Sequence, residues 1–147
     1  TGNDFVIIDF EGEPARAVSE RRIKRSPLYD VAGMVRSFHY AARSALVEEQ
    51  ARGLFHAEET PLMANWADYW YGWVSAAFIK RYLEVGRDGG YLPENASEFE
   101  ILLEAFLMEK AVYEVGYEMN NRPDWLVISL EGIEHLLGPA LEDEASQ

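Results

Sequence analysis

Asp9 is the first residue in this chain whose type and place could do chemistry. It follows the apolar run Phe5-Val6-Ile7-Ile8 and precedes Phe10-Glu11-Gly12. A carboxylate at the end of a buried strand is held by a rigid backbone, which suits a metal or catalytic position. With Glu11 and Glu13 it makes three carboxylates in five residues. Carboxylates that close repel unless a cation lies between them, and Mg²⁺ is the hard, oxygen-preferring candidate. The other reading is a solvated turn, with Asp9 closing an Asx turn. A second group is the stripe Lys110, Glu114, Tyr117 and Asn121, with Tyr113 and Asn120 beside it. The spacing puts these residues on one face of a helix whose other positions are mostly apolar. Such a stripe either pairs internally, Lys110 with Glu114, or lines a cleft whose donors and acceptors meet a hydroxyl-rich ligand. Trp66, Trp70 and Trp73 also recur at helical spacing. They read as core or helix-packing surface, with an aromatic sugar platform as the alternative.

Several chemistries are excluded. There is no Cys, so disulfides and thiol catalysis drop out, and a reducing compartment is expected. His39, His56 and His135 show no zinc spacing, and no G-x-S-x-G occurs. The 147 residues carry 13 Lys+Arg against 26 Asp+Glu, for a net charge of −13, which argues against a nucleic-acid partner. No apolar run reaches the length of a membrane span. The hydrophobic share of 48% is enough for a core. Charge is uneven: residues 1–43 hold seven cations and six anions, the remainder six and twenty. The cationic cluster, Arg16 to Arg25, is either a solvated surface or an anion site.

The elements that must position these groups are mostly helical. Asp4 to Phe10 is expected as a short strand, broken by Glu11-Gly12-Glu13-Pro14. A lone strand needs a partner, either Trp125 to Ile128 or a strand outside this sequence. Because Thr1-Gly2-Asn3 runs at once into that strand, the chain is expected to be cut from a longer polypeptide. Helices are expected over Leu28 to about Gln50, Pro61 to about Val85, Ser97 to about Asn120, and Leu130 to about Leu137. Pro27 lies near the start of the first, and Asp30 in its first turn suits the helix dipole. Thr60 is the expected N-cap of the second and Ser97-x-x-Glu100 the capping box of the third. Arg122-Pro123 stops the third helix and Gly138-Pro139 the last, leaving 141–147 as a flexible tail.

Read together, several segments resemble the maltokinase family. They are Asp9-Phe10-Glu11-Gly12-Glu13-Pro14, Glu20-Arg21-Arg22 with Lys24, and Ser26-Pro27-Leu28 with Asp30-Val31-Ala32-Gly33-Met34. Arg36-Ser37-Phe38 and Tyr40-Ala41-Ala42 continue the match, as do Phe106-Leu107, Glu109-Lys110-Ala111, Tyr113-Glu114, Tyr117-Glu118 and Asn120 through Trp125. Residues from about 60 to 95 are less distinctive, and His39 stands where the family more often has Asp. The resemblance implies a mainly α chain, the helical C-terminal lobe of an aminoglycoside-phosphotransferase-like kinase over residues 1–140, with one short N-terminal β element. It implies a cytoplasmic parent that uses ATP and Mg²⁺ to phosphorylate maltose and is often fused to a trehalose synthase domain. In that frame Asp9 resembles the metal-binding aspartate and Asp30 the structural aspartate of the following helix. Lys110, Tyr113 and Tyr117 resemble sugar-cleft positions, and Glu11 and Arg16 are substrate-side carry-overs. No H-G-D-x-H segment and no Gly-rich phosphate loop occurs here. The catalytic base is therefore expected upstream, and the chain alone is expected to be inactive. The rival expectation is a stand-alone acidic helical interaction module.

Overall fold

A computed structural model describes residues 17–145, with side chains through Gly138. Four long helices dominate: α2 (Leu28–Ala51), α3 (Thr60–Gly86), α4 (Ala96–Asn121) and α5 (Leu126–Ala145), after a single-turn α1 (Val18–Arg21). No strand occurs among the described residues. The expected strand Asp4–Phe10 lies outside them.

The helix ends follow local chemistry. Ser26 Oγ accepts a hydrogen bond from the Leu28 amide as α2 begins, and Pro27 is the residue before the first helical position. Two expected caps move. Asn95, not Ser97, caps α4: its side-chain oxygen accepts from the Glu98 amide at 2.7 Å. Thr60 is the first residue of α3 rather than its cap. It follows a 3₁₀ turn, Ala57–Glu59, in which the Glu59 carboxylate accepts from the His56 amide at 2.9 Å. Asn and Ser are comparably good caps, so sequence alone cannot choose between neighbours.

The last helix departs most from expectation. Trp125–Ile128, offered as a strand, is the end of a 3₁₀ turn (Pro123–Trp125) and the first turn of α5. β-Branched content at Val127-Ile128 loses to helical packing: Ile128, Ser129 and Gly132 lie on one side at helical spacing and are buried. The helix also runs past Gly138-Pro139 to Ala145, covering most of the segment expected as a tail. A proline withholds one donor, but its φ is compatible with a helix.

α2 is the central element. It packs against α3 on one side and α4 on the other, and α4 packs against α5. The apolar core joins Leu28, Val31, Ala32 and Val35 of α2 to Leu103 and Leu107 of α4. Higher on the α2–α3 seam, Phe38 meets Phe78 edge-to-face at 5.6 Å. No described helix is long and apolar enough to cross a membrane.

Candidate sugar-binding face and the ion network behind it

α4 carries an apolar stripe that changes character along its length. Leu103, Leu107 and Ala111 are buried, and the same stripe continues as Glu114 and Glu118. Two buried carboxylates require partners, and these come from α2 and from the end of α4. Arg36, only 2% exposed, donates through Nε to Glu114 Oε2 at 2.9 Å. Its Nη2 lies 2.8 Å from the same oxygen but makes no hydrogen bond there, so that contact is purely one of charge. Glu118, 1% exposed, is held by two side chains through three hydrogen bonds. Arg122 grips both of its oxygens, Nε to Oε2 at 2.9 Å and Nη2 to Oε1 at 2.6 Å. Tyr40 donates to Oε1 at 3.2 Å, and its hydroxyl also bonds the fully buried Ser129 of α5. The Tyr40 hydroxyl is pushed up to about 12, mainly by burial and further by the charges of Glu114 and Glu118, with the Ser129 bond pulling the other way. It stays protonated and donates at any ordinary pH. Charged hydrogen bonds of this kind are the strong ones. They fix α4 against α2 and α5.

Outward from this network lies a ladder of rings and cations on α4. Lys110 Nζ is 4.9 Å from the Tyr113 ring centre, and Tyr113 and Tyr117 lie near-parallel at 6.5 Å. Arg122 continues the series, 5.5 Å from the Tyr117 ring and 4.6 Å from Trp125. Trp125 stacks on Tyr40 at 6.3 Å. The three α4 positions expected to line a sugar cleft are thus neighbours, with Tyr117 exposed at 44%. Ring faces stack on the C–H faces of a sugar, while ammonium and phenol groups hydrogen-bond its hydroxyls.

Other expected residues fare differently. Lys110 and Glu114 were a possible i, i+4 pair, but Glu114 turns inward to Arg36, because burial makes the carboxylate seek the buried cation. Asp30 sits in the first turn of α2, exposed. Asp9, Glu11 and Arg16 lie outside the described residues, as does Glu13. Among the described residues no group of three His, Asp or Glu gathers as a metal site. The far end of the cationic cluster is tied down: Arg25 meets Glu109 of α4 at 3.1 Å and covers the Tyr29 ring at 5.4 Å. Residue reasoning gave Arg36, Tyr40, Glu118 and Ser129 no role. The available signal was an Arg within the buried face of α2 and a Glu at i+4 from Glu114 on the buried face of α4.

His39 completes the polar interior. It is 2% exposed, its ring meets Tyr71 edge-to-face at 5.4 Å, and neither ring nitrogen has a hydrogen-bond partner among the described residues. Burial lowers its pKa to about 3, helped by the nearby charges of Arg36, Arg43 and His135. It is a neutral ring at physiological pH. Tyr71 in turn meets His135 at 5.9 Å, joining α2, α3 and α5 through aromatic edges.

No family model matches this chain.

Proposed function

We propose that the chain is the C-terminal helical lobe of a maltokinase, whose parent enzyme transfers the γ-phosphoryl group of ATP to maltose, giving ADP and maltose 1-phosphate. One observation supports this reading above the rest. The segments that carry the resemblance, far apart in sequence, meet in space: Arg36 and Tyr40 from one, Glu114 and Glu118 from the next, Arg122 and Trp125 from the last. Behind them the ion network holds Lys110, Tyr113 and Tyr117 on a rigid helix. Phosphoryl transfer depends chiefly on positioning and on charge stabilisation, so a rigid wall for the acceptor sugar is what the reaction needs from this lobe.

Within the proposal, Tyr113 and Tyr117 stack on the sugar and Lys110 donates to a hydroxyl. Asp9 would supply an oxygen ligand for Mg²⁺, and Glu11 and Arg16 are assigned to the substrate side from the sequence alone. Asp30, in the first turn of α2, braces the catalytic loop of the parent. When bound, Mg²⁺ neutralises phosphate-oxygen charge. The general base comes from the H-G-D segment of the parent.

The test is maltose 1-phosphate formation by the full-length enzyme with ATP, Mg²⁺ and maltose. Asp9→Asn is expected to lower kcat by about a hundredfold or more. Tyr117→Ala is expected to raise KM for maltose about tenfold with a smaller change in kcat, the mark of lost acceptor binding. Failure of the parent to phosphorylate maltose overturns the proposal. The reading as an acidic interaction module draws its support from a different helix, α3.

A further inference from the structure

α3 carries more exposed aromatic surface than a helix packed against one neighbour accounts for. Trp66, Tyr69 and Trp73 are each about three-fifths exposed, and Trp70 is 45% exposed. α2 is the one long helix against which α3 packs closely. The α2–α3 seam is filled at its upper end by Phe38 and Phe78. At its lower end it opens, because Ala41, Ala42 and Ala45 of α2 face Ala67 of α3 across a trough of about 670 Å³. Trp66, Trp70 and Met63 wall the trough on one side, and Leu46 and Phe55 help close it. A separate hollow, about 350 Å³, lies on another face of α3 beside Tyr69 and Trp73.

We propose that this trough docks a basic amphipathic helix of a partner protein, its apolar face against the alanine floor and its Lys and Arg residues against the acidic rim. The shape fits a helix. Met63, Trp66, Ala67 and Trp70 follow i, i+3, i+4, i+7 spacing, so the wall runs along two turns of α3 beside α2. A third helix laid there repeats the packing of a bundle. The exposed Trp and Tyr side chains are the types that dominate interface energetics. Charge decides the sign of the partner. Glu49 and Glu59 lie in the lining with Glu48 and Glu58 beside them; Arg52 pairs with Glu48 and Glu49 but is the last Lys or Arg before Lys80, so four carboxylates face one cation and the rim stays net acidic. A sugar is disfavoured, because ten of the twelve lining residues are apolar and few groups can meet hydroxyls. A second copy is disfavoured, because each chain carries −13.

The experiment uses fluorescently labelled 18-residue synthetic peptides and the whole chain. One peptide places leucine at i, i+3, i+4, i+7 and lysine elsewhere; a second has the same composition scrambled; a third replaces lysine with glutamate. Anisotropy titration is expected to show at least tenfold tighter binding of the first than of either other. Ala45→Trp, which fills the trough at an exposed position without changing charge, is expected to weaken that binding at least tenfold; Ala41→Trp does the same from the neighbouring floor position. Circular dichroism checks that both variants remain helical. Equal binding of the scrambled peptide, or binding unmoved by either filling variant, overturns the proposal. So does a peptide-free dimer in sedimentation that Ala45→Trp makes monomeric, since the occupant is then a second copy.

Discussion

Arg36 is where the interior is most exposed to a single change. Its guanidinium and the Glu114 carboxylate are both buried and each is the other's charge partner. Removing one member of such a pair strands a charge in a poor solvent. Arg36→Met is therefore expected to cost about 3–5 kcal/mol, whereas Arg36→Met with Glu114→Leu recovers most of the loss, because hydrophobic groups of similar volume replace a buried pair at little net cost. Urea denaturation of the two single variants and the double variant reads the coupling directly. His39 makes a second residue-scale prediction. Its folded pKa of about 3 lies below the ordinary 6.5. The unfolded chain thus binds a proton that the folded chain refuses, and stability present above pH 6.5 is lost as pH falls through the window from 6.5 towards 3. The slope is at most about 1.4 kcal/mol per pH unit from this one group. Between pH 7.5 and 5, before most carboxylates titrate, the urea midpoint of the natural chain is expected to fall. His39→Phe is expected to flatten that dependence; an unchanged slope would count against a buried neutral His39.

At the scale of elements, two helical glycines make opposite predictions. Gly132 of α5 faces α2, and a Cβ there would overlap the Arg36 guanidinium. Because Arg36 is fixed by Glu114, it cannot simply swing aside. Gly132→Ala is expected to destabilise by about 1–3 kcal/mol, as overpacking does. That loss is expected to shrink when Arg36 is already Met, a coupling measurable by a double-mutant cycle. Gly116 lies within α4 on an exposed face with nothing near the position of a Cβ. Gly116→Ala is expected to stabilise by up to about 1 kcal/mol, the helix-propensity difference between the residues. Thermal melts of the pair distinguish close packing from helix propensity. The same reasoning explains why α5 starts earlier than its sequence indicates. Ile128 and Ser129 are buried with Gly132 on one side of the helix, and Ser129 reaches Tyr40. A β-branched dipeptide has no comparable use as a strand where no sheet occurs among the described residues.

For the whole molecule, the distribution of polar groups matters more than the total charge. The acidic excess coats the helical body, while charges pair across helices, Arg36 with Glu114 in the interior and Arg43 with Asp68 at 2.7 Å nearer the surface, and the buried Glu118 is held by Arg122 at the end of its own helix. These links join α2 to both neighbours and hold the ring ladder of α4 in place. A rigid face can orient a sugar, yet orientation alone moves no phosphoryl group. The 147 residues contain no H-G-D-x-H segment. The chain by itself is therefore expected to give no ADP and no maltose 1-phosphate from ATP and maltose; coupled-enzyme detection of ADP checks this, and sustained turnover would show that a base resides within these residues.

By itself the sequence determined the helical class, the extents of α2, α3 and α4 to within a residue or two, and the common face of Lys110, Tyr113 and Tyr117. These are periodic and local features, set by side-chain spacing and by helix stops such as Arg122-Pro123. Asp9, Glu11 and Arg16 rest on the sequence alone. Only the tertiary structure decided that Glu114 abandons Lys110 for Arg36, that Glu118 is buried, that His39 stays neutral, and that Trp66 and Trp70 of α3 border an open trough. Each of these depends on which helix lies opposite. A charged side chain takes the partner that shares its burial, and an alanine leaves a groove only when the facing residue is also small.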